Sequence, residues 1–110
     1  MRVGLTSAVR EQADLTAQLE AAGNRLVVID FFATWCGPCK MIAPAIDRMS
    51  VEMKDEVIFM KVDVDETDDI AGQYDIQAMP TFLFIKNKEV LEKFSGAAEA
   101  KLRELISKLK

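Results

Sequence analysis

Cys36 and Cys39, the only cysteines in the chain, flank Gly37-Pro38 where an apolar stretch, Leu26 to Phe32, gives way to a helical pattern. That placement constrains fold and chemistry together. A disulfide closing so short a loop adds little stability, because the entropy gained by cross-linking the unfolded chain grows with loop length. Two thiols at a helix start have a better use in exchange chemistry. Unpaired backbone N–H groups and the positive end of the helix dipole favour thiolate on Cys36, and the thiolate is the attacking species in disulfide exchange. Cys39 lies one turn inside and is expected to be shielded, so Cys36 is the expected nucleophile and Cys39 the resolving thiol. A zinc site fits poorly. With no histidine and no third cysteine, four ligands would require a second subunit or several carboxylates.

The rest of the chain reads as alternating strands and helices. Leu26 to Phe32 is apolar on both faces, as in a central strand covered by helices on each side. Ile42, Ala45, Ile46, Met49 and Met53 then recur at the spacing of one helical face, so a helix is expected from Cys36 to Met53, kinked at Pro44. Methionines 41, 49, 53 and 60 read as core filler. Leu15 and Leu19 share a face and Gly23-Asn24 supplies a stop, giving a helix near 11–22. Leu5 to Val9 reads either as a short edge strand or as the start of that helix. Val57 to Val62 makes a second buried strand, and Thr67 is a candidate cap for a short helix towards Tyr74. Thr81 to Ile85 and Glu89 to Phe94 flank Asn87-Lys88, a hairpin signal that makes them antiparallel. Leu102, Leu105, Ile106 and Leu109 mark the packed face of a last helix. This order predicts an α/β fold, a central mixed sheet of four to five strands flanked by about four helices. The site is expected outside the carboxyl end of the strand that stops at Phe32. Without repeats or a Pro/Gly/Ser-rich linker, the 110 residues are expected to form a single domain, 1–110.

Trp35-Cys36-Gly37-Pro38-Cys39 and its surroundings from Leu26 to Pro44 resemble the thioredoxin family. The likeness extends over nearly the whole chain. Met79-Pro80-Thr81 is similar to the family's cis-proline segment, Asp30 and Lys61 to its buried charge pair, and Phe94-Ser95-Gly96-Ala97 to its last strand and glycine. The resemblance implies the thioredoxin fold and a protein-disulfide reductase, an electron carrier working through a Cys36–Cys39 couple. It implies further that Asp30 is the general acid/base serving Cys39, with Lys61 as its partner. Pro80 would pack against the disulfide and present the Met79 backbone to an extended client strand. Trp35, Gly37, Pro38, Ala78, Met79, Gly96 and Ala97 would form a flat apolar docking patch. Gly37-Pro38 between the cysteines goes with a reductant in this family, where a charged or histidine pair would push towards an oxidant. Two positions depart from the family pattern: Lys88 and Ala78 stand where many members carry Gly.

Plainer readings compete at several positions. Asp30 interrupts an apolar strand, where a buried carboxylate costs several kcal/mol by order of magnitude unless paired or protonated; its alternative is a solvent-facing strand residue, and that of Lys61 a surface lysine. Ala78 and Met79 would otherwise be ordinary loop packing. Asp63, Asp65, Glu66, Asp68 and Asp69 lack the glycine and glutamate of a calcium loop and read as a solvated turn.

The net charge of −4, with basic residues scattered among acids, argues against nucleic acid or an anionic membrane as partner. Met1 to Thr6 lack the apolar core of a signal peptide, and Asp30 interrupts the longest apolar run, so a soluble cytoplasmic monomer is expected. No metal or organic cofactor is expected. The resemblance implies thioredoxin reductase as partner, with electrons ultimately from NADPH, and clients such as peroxiredoxins, ribonucleotide reductase and methionine sulfoxide reductases. Two other functions compete: a redox-independent scaffold or regulatory module using the apolar patch around Trp35 and Pro80, and a secretory oxidase or isomerase. The second would call for a signal segment and a histidine inside the motif.

Overall fold

The computed structural model describes residues 4–110; of the N-terminal stretch considered above, Met1 to Val3 lie outside the described residues. Among those described, five strands form one sheet: β1 (Ser7–Ala8), β2 (Leu26–Phe32), β3 (Val57–Asp63), β4 (Thr81–Lys86) and β5 (Glu89–Ser95). Their spatial order is β1-β3-β2-β4-β5. β1 and β2 run parallel to β3, whereas β4 is antiparallel to β2 and β5 to β4. Four helices cover the sheet: α1 (Gln12–Ala22), α2 (Gly37–Glu52), α3 (Asp68–Gln73) and α4 (Glu99–Leu109). The mixed sheet and its helices are those of the thioredoxin fold. Leu5 to Val9 resolves in favour of the edge strand, because Val9 N–H reaches the Lys61 carbonyl at 2.9 Å and ties the segment to β3.

Strand alternation divides the core into two layers. Leu26, Val28, Phe59, Phe82 and Phe84 face α2 and α4, meeting Ile42, Ile46, Met49, Leu102 and Ile106. Val27, Ile29, Phe31, Met60, Val62 and Leu83 face the other way, against Leu15 of α1 and Ile70 of α3. Burial of each large apolar side chain contributes about 1.5–3 kcal/mol, which makes β2, with both faces covered, the anchor of the fold. That anchor fixes where Phe32 ends and the cysteine motif begins.

Two local expectations need correction. Met41 is 79% exposed rather than core filler, because it sits on the outward side of α2, while Met49 and Met60 are buried. Thr67 precedes α3 without capping it through its side chain; its hydroxyl turns back to donate to the Asp63 carbonyl at 2.7 Å. The helix starts instead on the Thr67 backbone carbonyl, which accepts from Ile70 and Ala71 N–H at 3.1 Å. α2 runs as one element past Pro44, which lies on its exposed side. In the β4–β5 hairpin, Asn87 (φ 52°) and Lys88 (φ 68°) both adopt left-handed backbone, the two-residue turn whose twist matches that of the strands.

Candidate active site

Cys36 is the N-cap of α2, with Gly37 and Pro38 in its first turn. Pro38 lacks an N–H where the helix leaves one unpaired anyway. The two cysteines are joined as a disulfide with their Cα atoms 5.3 Å apart. Cys39 N–H donates to Cys36 Sγ at 3.2 Å, so the helix terminus aims a backbone dipole at the outer sulfur. The expected difference in shielding is absent: each cysteine is 5% exposed. What separates them is their surroundings. Cys36 Sγ lies 3.7 Å from the Met79 carbonyl oxygen, under the loop before β4, whereas Cys39 lines a cleft on the inner side of α2.

The loop that covers Cys36 contains a cis Met79–Pro80 peptide bond. It is stapled to the end of β5 in two places. Gly96 N–H donates to the Pro80 carbonyl at 2.9 Å. Thr81 Oγ1 donates to the Ala78 carbonyl and shares a 2.8 Å hydrogen bond with Ser95 Oγ. These bonds bring Ala78, Met79, Gly96 and Ala97 to the same end of the sheet as the disulfide. Gly96, at φ 118°, turns the chain away from β5 in a conformation that a Cβ disfavours. Gly37, Pro38, Ala78 and Ala97 are exposed, Met79 and Gly96 half-buried, and Pro80 buried beneath them. Trp35 is 66% exposed, and its Nε1–H donates to Asp65 Oδ2 at 2.8 Å. Sequence reasoning treated Asp65 only as part of a solvated turn; the signal available was its place in the acidic turn after β3, beside the carboxyl end of β2.

On the inner side of α2, Asp30 and Lys61 are register partners on β2 and β3. They do not form a buried charge pair, since Lys61 is exposed. Asp30 Oδ1 is shut off from solvent without a hydrogen-bond partner among the described residues. Burial pushes the Asp30 carboxyl up from 3.8 to about 7, and the positive charge of Lys61 opposes that rise only in part. Asp30, Lys61 and Cys39 line one cleft of about 320 Å³. A carboxyl raised towards neutrality in the cleft that Cys39 also lines can accept or return a proton during exchange. No group of three or more His, Cys, Asp or Glu among the described residues is arranged to hold a metal ion.

A dithiol/disulfide pair at a helix N-terminus, covered by a cis-proline loop on an open α/β sheet, defines a thiol–disulfide oxidoreductase site. The chain belongs to the thioredoxin family: the family model named Thioredoxin matches residues 7–108. It is 47% identical over 105 residues to thioredoxin of Gallus gallus, covering 96% of this chain and 99% of that one. Thioredoxin-T of Drosophila melanogaster is 51% identical over 100 residues, 91% of this chain, which spans only 64% of that longer protein. The X-ray structure of Fasciola hepatica thioredoxin superposes with a TM-score of 0.93 at 46% identity, over 96% of this chain and all of that one. The protein is accordingly a dithiol–disulfide reductase whose redox group is its own disulfide, as in the family at large. Thioredoxins work with a thioredoxin reductase and with disulfide-bearing clients.

Proposed function

We propose that residues 1–110 act as a single domain that reduces client disulfides by attack of the Cys36 thiolate, with Cys39 resolving the mixed disulfide. The observation that carries this assignment of roles is the asymmetry around the pair. Cys36 is the N-cap, receives a backbone N–H and lies under the Met79 carbonyl; Cys39 lies behind it beside Asp30. Asp30 takes the Cys39 proton during resolution and returns it when the disulfide is reduced again, and the Lys61 charge keeps its titration from rising further. Trp35, Ala78, Met79, Pro80, Gly96 and Ala97 dock the client, with an extended client segment pairing to the Met79 backbone. Gly37 and Pro38 set the couple towards reduction. The working form is a cytoplasmic monomer reset by a thioredoxin reductase; peroxiredoxins, ribonucleotide reductase and methionine sulfoxide reductases are suitable clients. No helix among the described residues is long and apolar enough to cross a membrane.

Titration of the couple against a thiol/disulfide buffer, with Trp35 fluorescence as readout, tests the direction of electron flow. A potential near the family reference of about −270 mV is expected, and one between about −180 and −120 mV would reassign the protein as an isomerase or oxidant. Cys39→Ser should trap a client mixed disulfide on Cys36, and Cys36→Ser should trap none; the reverse pattern would exchange their roles.

A further inference from the structure

The cleft behind the disulfide contains a second buried polar atom that the exchange chemistry above leaves unused. Among the described residues, Thr6 Oγ1, like Asp30 Oδ1, is shut off from solvent and lacks a hydrogen-bond partner. Both residues line the same cleft as Cys39 and Lys61. Their meeting follows from register. β1 pairs with β3 so that Ser7 lies beside Met60 and Ala8 beside Lys61. Alternation then turns Thr6 to the face of the sheet opposite Ser7, the face that carries Lys61 and Asp30 and that α2 covers.

The segment is held there by α2 itself. Leu5 N–H donates to Ser50 Oγ at 2.9 Å, and Ser50 Oγ donates on to the Asp47 carbonyl at 2.7 Å. One residue earlier, the chain runs so close to α2 that a Cβ built on Gly4 would come 2.5 Å from Asp47 Oδ1. Gly4 and Leu5 are therefore held against α2, and Thr6 follows them into the lining of the cleft. An unsatisfied buried hydroxyl costs about 1–3 kcal/mol, and two such atoms in one cleft call for a common partner. A cleft of about 320 Å³ lined by Thr6, Asp30 and Lys61 has the room and the polar partners to seat a bridging water.

We propose that Thr6 is a positioning residue for disulfide exchange, its hydroxyl joined to the Asp30 carboxyl through the cleft and orienting it towards Cys39. This inference rests on the assignment of Asp30 as the acid/base. In the resolving step, the Cys39 thiol gives its proton to the Asp30 carboxylate as the Cys39–Cys36 bond forms. The Cys36–client S–S bond breaks and the client leaves as a thiolate. Asp30 then holds one proton, which it returns to Cys39 when the disulfide is reduced again. A hydroxyl suits this place because it donates to a carboxylate and accepts from a carboxylic acid. The other titratable or charged groups facing Asp30 are Lys61 from β3 and Lys40, Asp47 and Cys39 from α2; its register neighbour on β4, Phe82, carries none.

The test compares wild type, Thr6→Val, Thr6→Ser and Asp30→Asn as full chains, with the Asp30 carboxyl followed by carbon-detected NMR and mixed-disulfide resolution by stopped flow, both across pH. Thr6→Val should raise the Asp30 midpoint by about one pH unit, the size of one lost hydrogen bond to a carboxylate. The pH profile of resolution should move with it. Thr6→Ser, which keeps the hydroxyl, should restore both. A Thr6→Val protein with the wild-type midpoint and profile, or a Thr6→Ser protein shifted like Thr6→Val, would overturn the proposal. Asp30→Asn separates it from its premise: unchanged resolution in that variant would remove Asp30 from the chemistry, whereas slowed resolution there beside a wild-type profile in Thr6→Val would remove Thr6 alone.

Discussion

Asp30 should make the protein less stable as pH rises towards neutrality, the opposite of an ordinary ion-paired carboxylate. Its folded-state value is raised from 3.8 to about 7 by burial. An unfolded chain releases that proton near pH 3.9, whereas the folded chain keeps it to about pH 7. Between these values the native state holds one proton more than the unfolded state, so unfolding free energy falls with rising pH. Each unit of difference is worth about 1.36 kcal/mol, so the interval amounts to about 4 kcal/mol. The loss is absent below about pH 4, half complete near about pH 5.5 and full above about pH 8. Asp30→Asn keeps the side chain's size and removes its titration. Guanidinium unfolding of the oxidised wild type and Asp30→Asn should therefore give free energies whose difference grows by about 4 kcal/mol in favour of the variant from pH 4 to pH 8.5. Taking the difference cancels the other titrating groups, which the two proteins share. A difference that stays flat across this range, or that grows as pH falls, would refute the account of Asp30 as a carboxyl destabilised by desolvation.

The hairpin and the loop after β5 supply two further predictions. Lys88 holds φ at 68°, and its side chain forms an exposed ion pair with Glu20 at 2.7 Å, so Lys88→Gly should raise stability by about 0.5–1 kcal/mol, measured by thermal or denaturant unfolding; destabilisation would show that the Glu20 pair outweighs the backbone strain. Gly96 meets nothing within 4 Å of a built Cβ yet sits at φ 118°, so Gly96→Ala should cost about 1–3 kcal/mol through backbone strain alone, with reductase activity weakened through client KM if the loop shifts; a neutral substitution would show that the segment relaxes freely.

Much of the fold was legible because its signals are local. A strand apolar on both faces, as in Leu26 to Phe32, has few stable settings other than the middle of a covered sheet. A helical apolar stripe, as at Leu102, Leu105 and Ile106, reports a packed face whatever the partner. Misjudged residues were those whose setting depends on helix azimuth or on a competing partner. Met41 lies beside the stripe of α2, and its hydrophobicity alone did not reveal which side it takes. Thr67 had a choice of acceptor and donor, and its hydroxyl bonded the Asp63 carbonyl behind it instead of a helix N–H ahead. Cys36 was expected to be exposed because it starts a helix, but the Met79 loop, distant in sequence, covers it.

The sequence by itself determined the redox motif at a strand-to-helix junction, the strands and helices on either side of it, and the family to which such a chain belongs. Spacing along the chain is enough for these, because periodicity and helix-terminal chemistry act within a few residues. Only the tertiary structure decided what faces the two sulfurs. Pairing β3 beside β2 set Lys61 next to Asp30, pairing β1 beside β3 turned Thr6 into the same cleft, and stapling Pro80 to Gly96 brought the cis-proline loop over Cys36. Register fixes such meetings, and a slip of one residue would turn every one of these side chains to the other face.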